Sequence, residues 1–107
     1  PMNENPIDLH WKNRPASSMD KAILLDLKFA GLSSEKKRTT MGNIISKNQC
    51  NAAFITRLDS IAWVLNIRGN DVPCNPVLLS HALIHSDGSL DLFINESKIP
   101  DGFHDHV

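Results

Sequence analysis

An apolar run that ends in a polar, proline-stiffened corner constrains this chain more than any other feature. Ile61, Trp63, Val64, Leu65 and Ile67 lead into Asn66, Arg68, Gly69, Asn70 and Asp71, followed by Pro73 and Pro76. Proline fixes its own φ and steers the preceding residue away from helix. The chain must therefore leave a buried segment and turn within a few residues. A solvated loop would not need Trp63 and Ile67 as anchors. Residues 66–76 either close a sharp structural corner or face a pocket.

With 107 residues the chain has enough material for one small domain. An apolar content of 41% suits a packed core and not a disordered segment. Eleven Lys and Arg against 12 Asp and Glu leave a formal charge of −1, without the basic surplus that nucleic-acid binding needs. With no tyrosine and few aromatics, stacking platforms for bases or sugars are not expected. No apolar run approaches a bilayer span, and the N-terminus lacks a signal-peptide pattern. Cys50 and Cys74 match no metal or redox spacing and read as two reduced thiols. The expectation is a cytoplasmic protein with neither a nucleic-acid nor a membrane partner. The ends, Pro1 and Val107, read as boundaries of a piece of something larger.

Residues 1–20 read as a connecting segment, with Pro6 and Pro15 excluding a regular helix through most of it. Ile7, Leu9 and Trp11 are its expected anchors, giving partial docking. Residues 21–107 form the domain proper. Leu25, Leu27 and Phe29 alternate with Asp26 and Lys28, which predicts an extended segment over 22–29 closed by Gly31. Ser33 or Ser34 caps a helix to about residue 48, with Glu35 in its first turn. Met41, Ile44 and Ile45 form its inner stripe, Lys36, Lys37 and Arg38 face solvent, and Gly42 weakens it locally. A buried strand follows at 52–56, then a helix capped by Asp59 over 60–65 with Ile61, Val64 and Leu65 inward. Val77–Ile84 reads as a strand, Ser86-Asp87-Gly88-Ser89 as a hairpin turn and 90–94 as the returning strand. Residues 95–107 begin a helix. The fold class is α/β: a mixed β-sheet flanked by helices, with parallel neighbours across the helices and one antiparallel hairpin.

Residues 58–76 resemble a run in the Xaa-Pro aminopeptidases (aminopeptidase P) of the creatinase and prolidase superfamily. Leu58, Asp59, Ile61, Ala62, Trp63, Leu65, Asn66, Ile67, Arg68, Gly69, Asp71, Val72, Asn75, Pro76 and Val77 carry the match. The similarity extends to Asn5-Pro6-Ile7-Asp8, Trp11 and Arg14-Pro15, to Phe29-Ala30-Gly31 with Lys36, Lys37 and Arg38, and to Asp91-Leu92-Phe93-Ile94. Asn70, Cys74 and His81 depart from the usual pattern. The resemblance implies a truncated creatinase N-terminal-like domain from the middle of a metallopeptidase that releases the residue before proline. It implies two divalent metals, commonly manganese, held by two Asp, one His and two Glu in a catalytic pita-bread domain. None of the five maps onto this chain, which alone would not be an enzyme and holds no metal. The implied partners are that catalytic domain, in the same polypeptide, and a peptide with proline second. The domain would help shape the substrate mouth.

Arg68 is placed either toward the catalytic domain, where its planar fork suits carbonyl or carboxylate groups, or in a local bridge to Asp71 closing the corner after Gly69. Asp71 would orient Arg68. Asn66 and Asn75 either line the same pocket or satisfy backbone groups, as asparagine does in turns. Trp63, Gly69 and Pro76 are structural support: Trp63 as core, Gly69 for a backbone angle that other residues resist. His81 and His85 share a strand face, and His104 and His106 lie in a polar tail; neither pair has a third ligand for zinc. A small complete hydrolase would need a nucleophile–base pair that is not found. The alternative to a peptidase domain is a stand-alone binding module of the same fold. An unpaired sheet edge or uncovered apolar face would favour self-association of the chain as a dimer or higher assembly.

Overall fold

The structure is a computed structural model in which residues 4–107 are described. The chain runs through α1 (Pro6–His10), β1 (Ile23–Leu24), α2 (Leu27–Ala30), α3 (Ser34–Lys47), β2 (Ala52–Ile55) and α4 (Leu58–Leu65). It continues through β3 (Ile67–Arg68), β4 (His81–His85), β5 (Leu90–Phe93), a 3-10 turn (Glu96–Lys98) and α5 (Phe103–His106). The α/β class with flanking helices stands, but the strands divide into two sheets, β1–β3 and β2–β4–β5, and every pairing is antiparallel. The expected parallel neighbours do not form, because α4 carries the chain from one sheet to the other and is not a crossover within one.

The N-terminal expectations change most. Pro6 starts α1 at its first position, where its missing N–H costs nothing, and Asn5 caps it by accepting from the Ile7 N–H at 3.0 Å. Asp8 bridges Arg14, whose guanidinium lies 5.7 Å from the Trp11 ring centre. Ile7, Leu9 and Trp11 all remain more than half exposed, so the expected docking is absent. The first three residues of the connecting segment lie outside the described residues. Over 22–29 only Ile23 and Leu24 are extended. The Asp26 side chain accepts from the Lys28 N–H at 2.9 Å and starts α2, which leaves Phe29 exposed. A side-chain cap of this kind favours helix over the alternation that Leu25, Leu27 and Phe29 suggest. Gly31, at φ 75°, ends α2 in the left-handed region.

Helix α3 starts at Ser33, whose hydroxyl accepts from the Lys36 N–H, with Glu35 in the first turn. Its buried face carries Ile45, with Met41 half-buried beside it, whereas Ile44 is exposed and Lys37 is buried, both against expectation. Gly42 is a contact point as well as a weak helix former: a Cβ there would lie 2.8 Å from Gly88 N and Ser86 O in the hairpin turn. Asp59 is not the cap of α4. The helix begins two residues earlier than expected, at Leu58, and Asp59 pairs with Arg57 at 2.8 Å. Ile61, Val64 and Leu65 point inward as expected, but Trp63 is half exposed and not core.

The hairpin stands as expected, with Ala82 and Ile84 fully buried on the inner face of β4 and the turn at Ser86–Ser89. β4 begins only at His81; Val77, Leu78 and Ser80 are buried without being a strand. β2 is half-buried, with Phe54 outward. Its inward Ala53 and Ile55 pack on a core built from Ile61, Leu65, Ile67, Leu78 and Ile84, and α3 packs on the same side. Glu96–Lys98 form the 3-10 turn and Phe103–His106 form α5, which puts Phe103 into that core.

Candidate functional site

Helix α4 delivers the polar corner. It ends at Asn66, which sits in the left-handed region at φ 54°, ψ 45°. Asparagine tolerates that conformation better than most side chains. Asn66 is only 4% exposed, and all its polar groups are used. Its Oδ1 accepts from Lys37 Nζ at 2.5 Å, and its Nδ2 donates to Leu32 O at 2.8 Å. Its carbonyl accepts from the Leu25 N–H at 2.8 Å and from His106 Nε2 at 2.9 Å. One residue thus ties α3, the segment before it, the residue after β1 and α5 to the end of α4.

Lys37, 3% exposed, is the buried charge of the corner. Its Nζ also donates to Trp63 O at 2.9 Å, at the carbonyl-rich end of α4, and lies 4.6 Å from the Trp63 ring centre. Burial, with a smaller repulsion from Arg68, holds its pKa below the usual lysine value. No local sequence signal marks it, since its partners are 26 and 29 residues away.

Arg68 and Asp71 do not bridge each other. Arg68 folds back, with Nη1 donating to Ala62 O at 3.2 Å and Ile67 O at 2.8 Å, and so serves carbonyls at and just beyond the end of α4. Asp71 pairs instead with Lys98 at 2.5 Å, both side chains being almost sealed from solvent. The same Asp71 oxygen accepts from the Leu79 N–H at 2.8 Å. Burial pushes the Asp71 carboxyl up. Lys98 and the Leu79 N–H outweigh it, and the carboxyl titrates below its usual range. Lys98 is the partner that sequence reasoning missed; it sits 27 residues on, in a stretch that reads as polar tail.

Between these anchors the chain forms a narrow lobe. The Gly69 N–H donates to Pro76 O and the Asp71 N–H to Val77 O, both at 3.2 Å. The Asn75 N–H returns to Val72 O at 3.1 Å. With Pro73 second and Cys74 third at φ 60°, Val72–Asn75 is a type II turn. Gly69 does not serve the special backbone angle that the sequence suggested, since its φ is not in the left-handed region. It serves space: a Cβ there would meet Leu78 Cγ at 2.3 Å. Asn70, Pro73, Cys74, Asn75 and Pro76 are exposed at the tip of the lobe.

Of the predicted site residues, Asn66, Arg68 and Asp71 are thus held in the framework, and Asn75 reaches the surface of the lobe. The lobe can present a fixed shape, but it holds no nucleophile next to a base. The histidines are dispersed: His81 stacks on Phe54 at 5.8 Å, His85 bonds Asp91 at 2.8 Å, and His106 holds Asn66 O. Among the described residues no three His, Cys, Asp or Glu side chains come together, so the donor set for a metal pair does not fit these residues. A polar cleft of about 570 Å³, lined by Glu35, Arg38, Asp87 and Asp105 among others, lies elsewhere and includes no predicted site residue. No helix among the described residues is long and apolar enough to cross a membrane.

A family model for the creatinase/prolidase N-terminal domain matches residues 13–107. A probable Xaa-Pro aminopeptidase P from Ajellomyces capsulatus (strain NAm1 / WU24) is 41% identical over 100 residues, covering 92% of this chain and 16% of the relative. A probable Xaa-Pro aminopeptidase P from Sordaria macrospora is 38% identical over 101 residues, covering 94% of this chain and 16% of the relative. The crystal structure of X-prolyl aminopeptidase from Caenorhabditis elegans, described as a cytosolic enzyme with a di-nuclear active site, superposes with a TM-score of 0.89 at 30% identity. It covers 98% of this chain and 17% of that one. The chain therefore spans about a sixth of the length of the proteins it matches.

Proposed function

The chain belongs to the creatinase/prolidase N-terminal domain family, and from that premise we propose that it serves as a non-catalytic domain of a metal-dependent Xaa-Pro aminopeptidase. One observation carries the reading. Nearly the whole chain, 98% of it, superposes on a sixth of a larger peptidase, and relatives named for the same activity match it over a similar share.

In this reading the hydrolysis of the bond before proline belongs to another region of the polypeptide. That region would supply the two divalent metals, commonly manganese, that polarise the scissile carbonyl and activate water; no step of that chemistry is assigned to the residues described above. What this domain contributes is position. The Lys37–Asn66 and Asp71–Lys98 contacts fix the lobe at residues 69–76 as a rigid projection, and the lobe tip packs against the catalytic region at the substrate mouth. Arg68 and Asn66 support it from behind. The protein acts in the cytoplasm on peptides with proline second. Its partner is the catalytic region of the same polypeptide, and the chain self-associates through surface that this region leaves bare.

The test compares the 107-residue chain with the full product of its gene on a short peptide with proline second, with manganese and with a chelator. The reading expects cleavage by the full product only, lost on chelation. An inactive full product, or one without the Asp, Asp, His, Glu, Glu set, sinks the reading and favours a stand-alone binding module.

A further inference from the structure

We propose that the Asp101–Gly102 step closes to a succinimide, and that the isoaspartate it opens to releases α5 from Asn66. The chain contains two Asp-Gly steps, Asp87-Gly88 and Asp101-Gly102. A glycine after aspartate has no Cβ to shield its nitrogen. That nitrogen attacks the aspartate Cγ. A Cγ–N bond forms, the hydroxyl of the neutral acid and the amide proton leave as water, and a five-membered ring results. Water then reopens the ring. Addition at Cγ restores aspartate. Addition at the backbone carbonyl breaks its bond to nitrogen and leaves the chain running through Cβ and Cγ.

The fold protects one step and not the other. At Asp87-Gly88 both reacting groups are occupied. The Gly88 N–H donates to His85 O at 3.0 Å, and Gly88 is buried against α3. Asp87 Oδ1 accepts from Ser89 Oγ at 2.6 Å and from the Ser89 N–H at 2.9 Å. Those bonds hold the Asp87 carboxyl below its usual range, so it stays ionised and lacks the hydroxyl that leaves. Asp101 and Gly102 are both exposed. Among the described residues neither the Gly102 N–H nor the Asp101 carboxylate has a hydrogen-bond partner. A Cβ at Gly102 would meet nothing within 4 Å, so the ring has room to close.

The consequence follows from what this turn holds. The Phe103 N–H donates to Pro100 O at 3.3 Å, and Gly102 sits at φ 78°, ψ 1°, the third position of a type II turn. The turn aims Phe103, only 6% exposed, into the core. The helix behind it brings His106 Nε2 to Asn66 O at 2.9 Å. Isoaspartate keeps the charge but adds one carbon to the backbone inside the turn. Phe103 and His106 then cannot both reach their seats, and α5 comes away from the corner. This inference stands apart from the peptidase reading, since it needs only the two turns and α5.

The experiment ages the full product of the gene for weeks at body temperature and mildly acidic pH. Isoaspartate is then mapped by peptide with a protein-isoaspartate methyltransferase and labelled S-adenosylmethionine. Amide hydrogen exchange is followed at His106 and Val107, whose N–H groups donate to Gly102 O and Phe103 O. The expected result is label at position 101 that grows with time, none above the starting level at 87, and faster exchange at both amides as the label grows. Asp101→Glu, which would need a six-membered ring, should lose the label and keep slow exchange. No label at 101, or equal label at 87, overturns the proposal. So does label at 101 with both amides unchanged. If Asp101→Glu does not fold, the wild-type map and amides decide alone.

Discussion

Lys37 and Asn66 meet at 2.5 Å inside the protein, and the contact joins the first turn of α3 to the end of α4. An ammonium that is 3% exposed needs acceptors, and Asn66 Oδ1 with Trp63 O supplies two. Replacing Lys37 by Met keeps the stem but strands both acceptors. The expected loss is about 1–3 kcal/mol of stability by urea unfolding, the usual penalty for unpaired buried groups. A changed Trp63 emission should accompany it, since the ammonium lies over that ring. An unchanged midpoint would show that burying the charge costs as much as its bonds return.

The Asp71–Lys98 pair should be the more costly one to break. Both side chains are almost fully buried, and Lys98→Met would leave a carboxylate without its counter-ion. The expected loss is about 3–5 kcal/mol by the same measurement. A loss under about 1 kcal/mol would place the pair with ordinary surface bridges.

Acid should find the same pair. The folded Asp71 carboxyl titrates below the ordinary aspartate value of the unfolded chain, so the unfolded chain binds its proton first as pH falls. The stability from this carboxylate is therefore complete above that value and is lost as pH drops through the lower folded one. Urea midpoints measured from about pH 6 to pH 2 should fall less steeply in Asp71→Asn than in the wild type at the acid end. Parallel curves would remove Asp71 from the acid response.

Two glycine substitutions separate space from propensity. Gly42→Ala should gain about 1 kcal/mol of helix propensity, but its Cβ would meet hairpin backbone at 2.8 Å, which cannot swing away. Set against an overpacking cost of about 1–3 kcal/mol, the net is expected to be a destabilisation of up to about 2 kcal/mol. Gly69→Ala meets a side chain, Leu78, so Leu78→Ala should rescue part of its loss in a double-mutant cycle. Additive losses in that cycle would discount the contact.

Arg68→Ala should lower the unfolding temperature slightly, in line with about 1 kcal/mol for its hydrogen bonds to Ala62 O and Ile67 O. In the full product the metal content should be unchanged, because the side chain turns back onto α4. Loss of metal would mean that Arg68 reaches the catalytic region.

Local rules read correctly wherever the decisive partners are close in sequence. Ser33 as the cap of α3, the Ser86–Ser89 turn and the inward face of Ile61, Val64 and Leu65 each follow from residues within a few positions. Failures came where a short local bond competed with a pattern, as when the Asp26 side chain turned an apparent strand into α2. They came also where the partner was remote, as for Lys37, Asp71 and Lys98.

The sequence by itself determined that α3 starts after Ser33, which hairpin forms, and that residues 66–76 would be a stiff polar corner. Caps, glycines, prolines and apolar spacing act within one or two turns of chain, so their consequences are written locally. Only the tertiary structure decided that Arg68 serves α4, that Asp71 belongs to Lys98, that Trp63 faces solvent and that the strands form two antiparallel sheets. Those outcomes depend on which distant groups are sealed from water together, and a buried charge takes whichever partner the packing brings within reach.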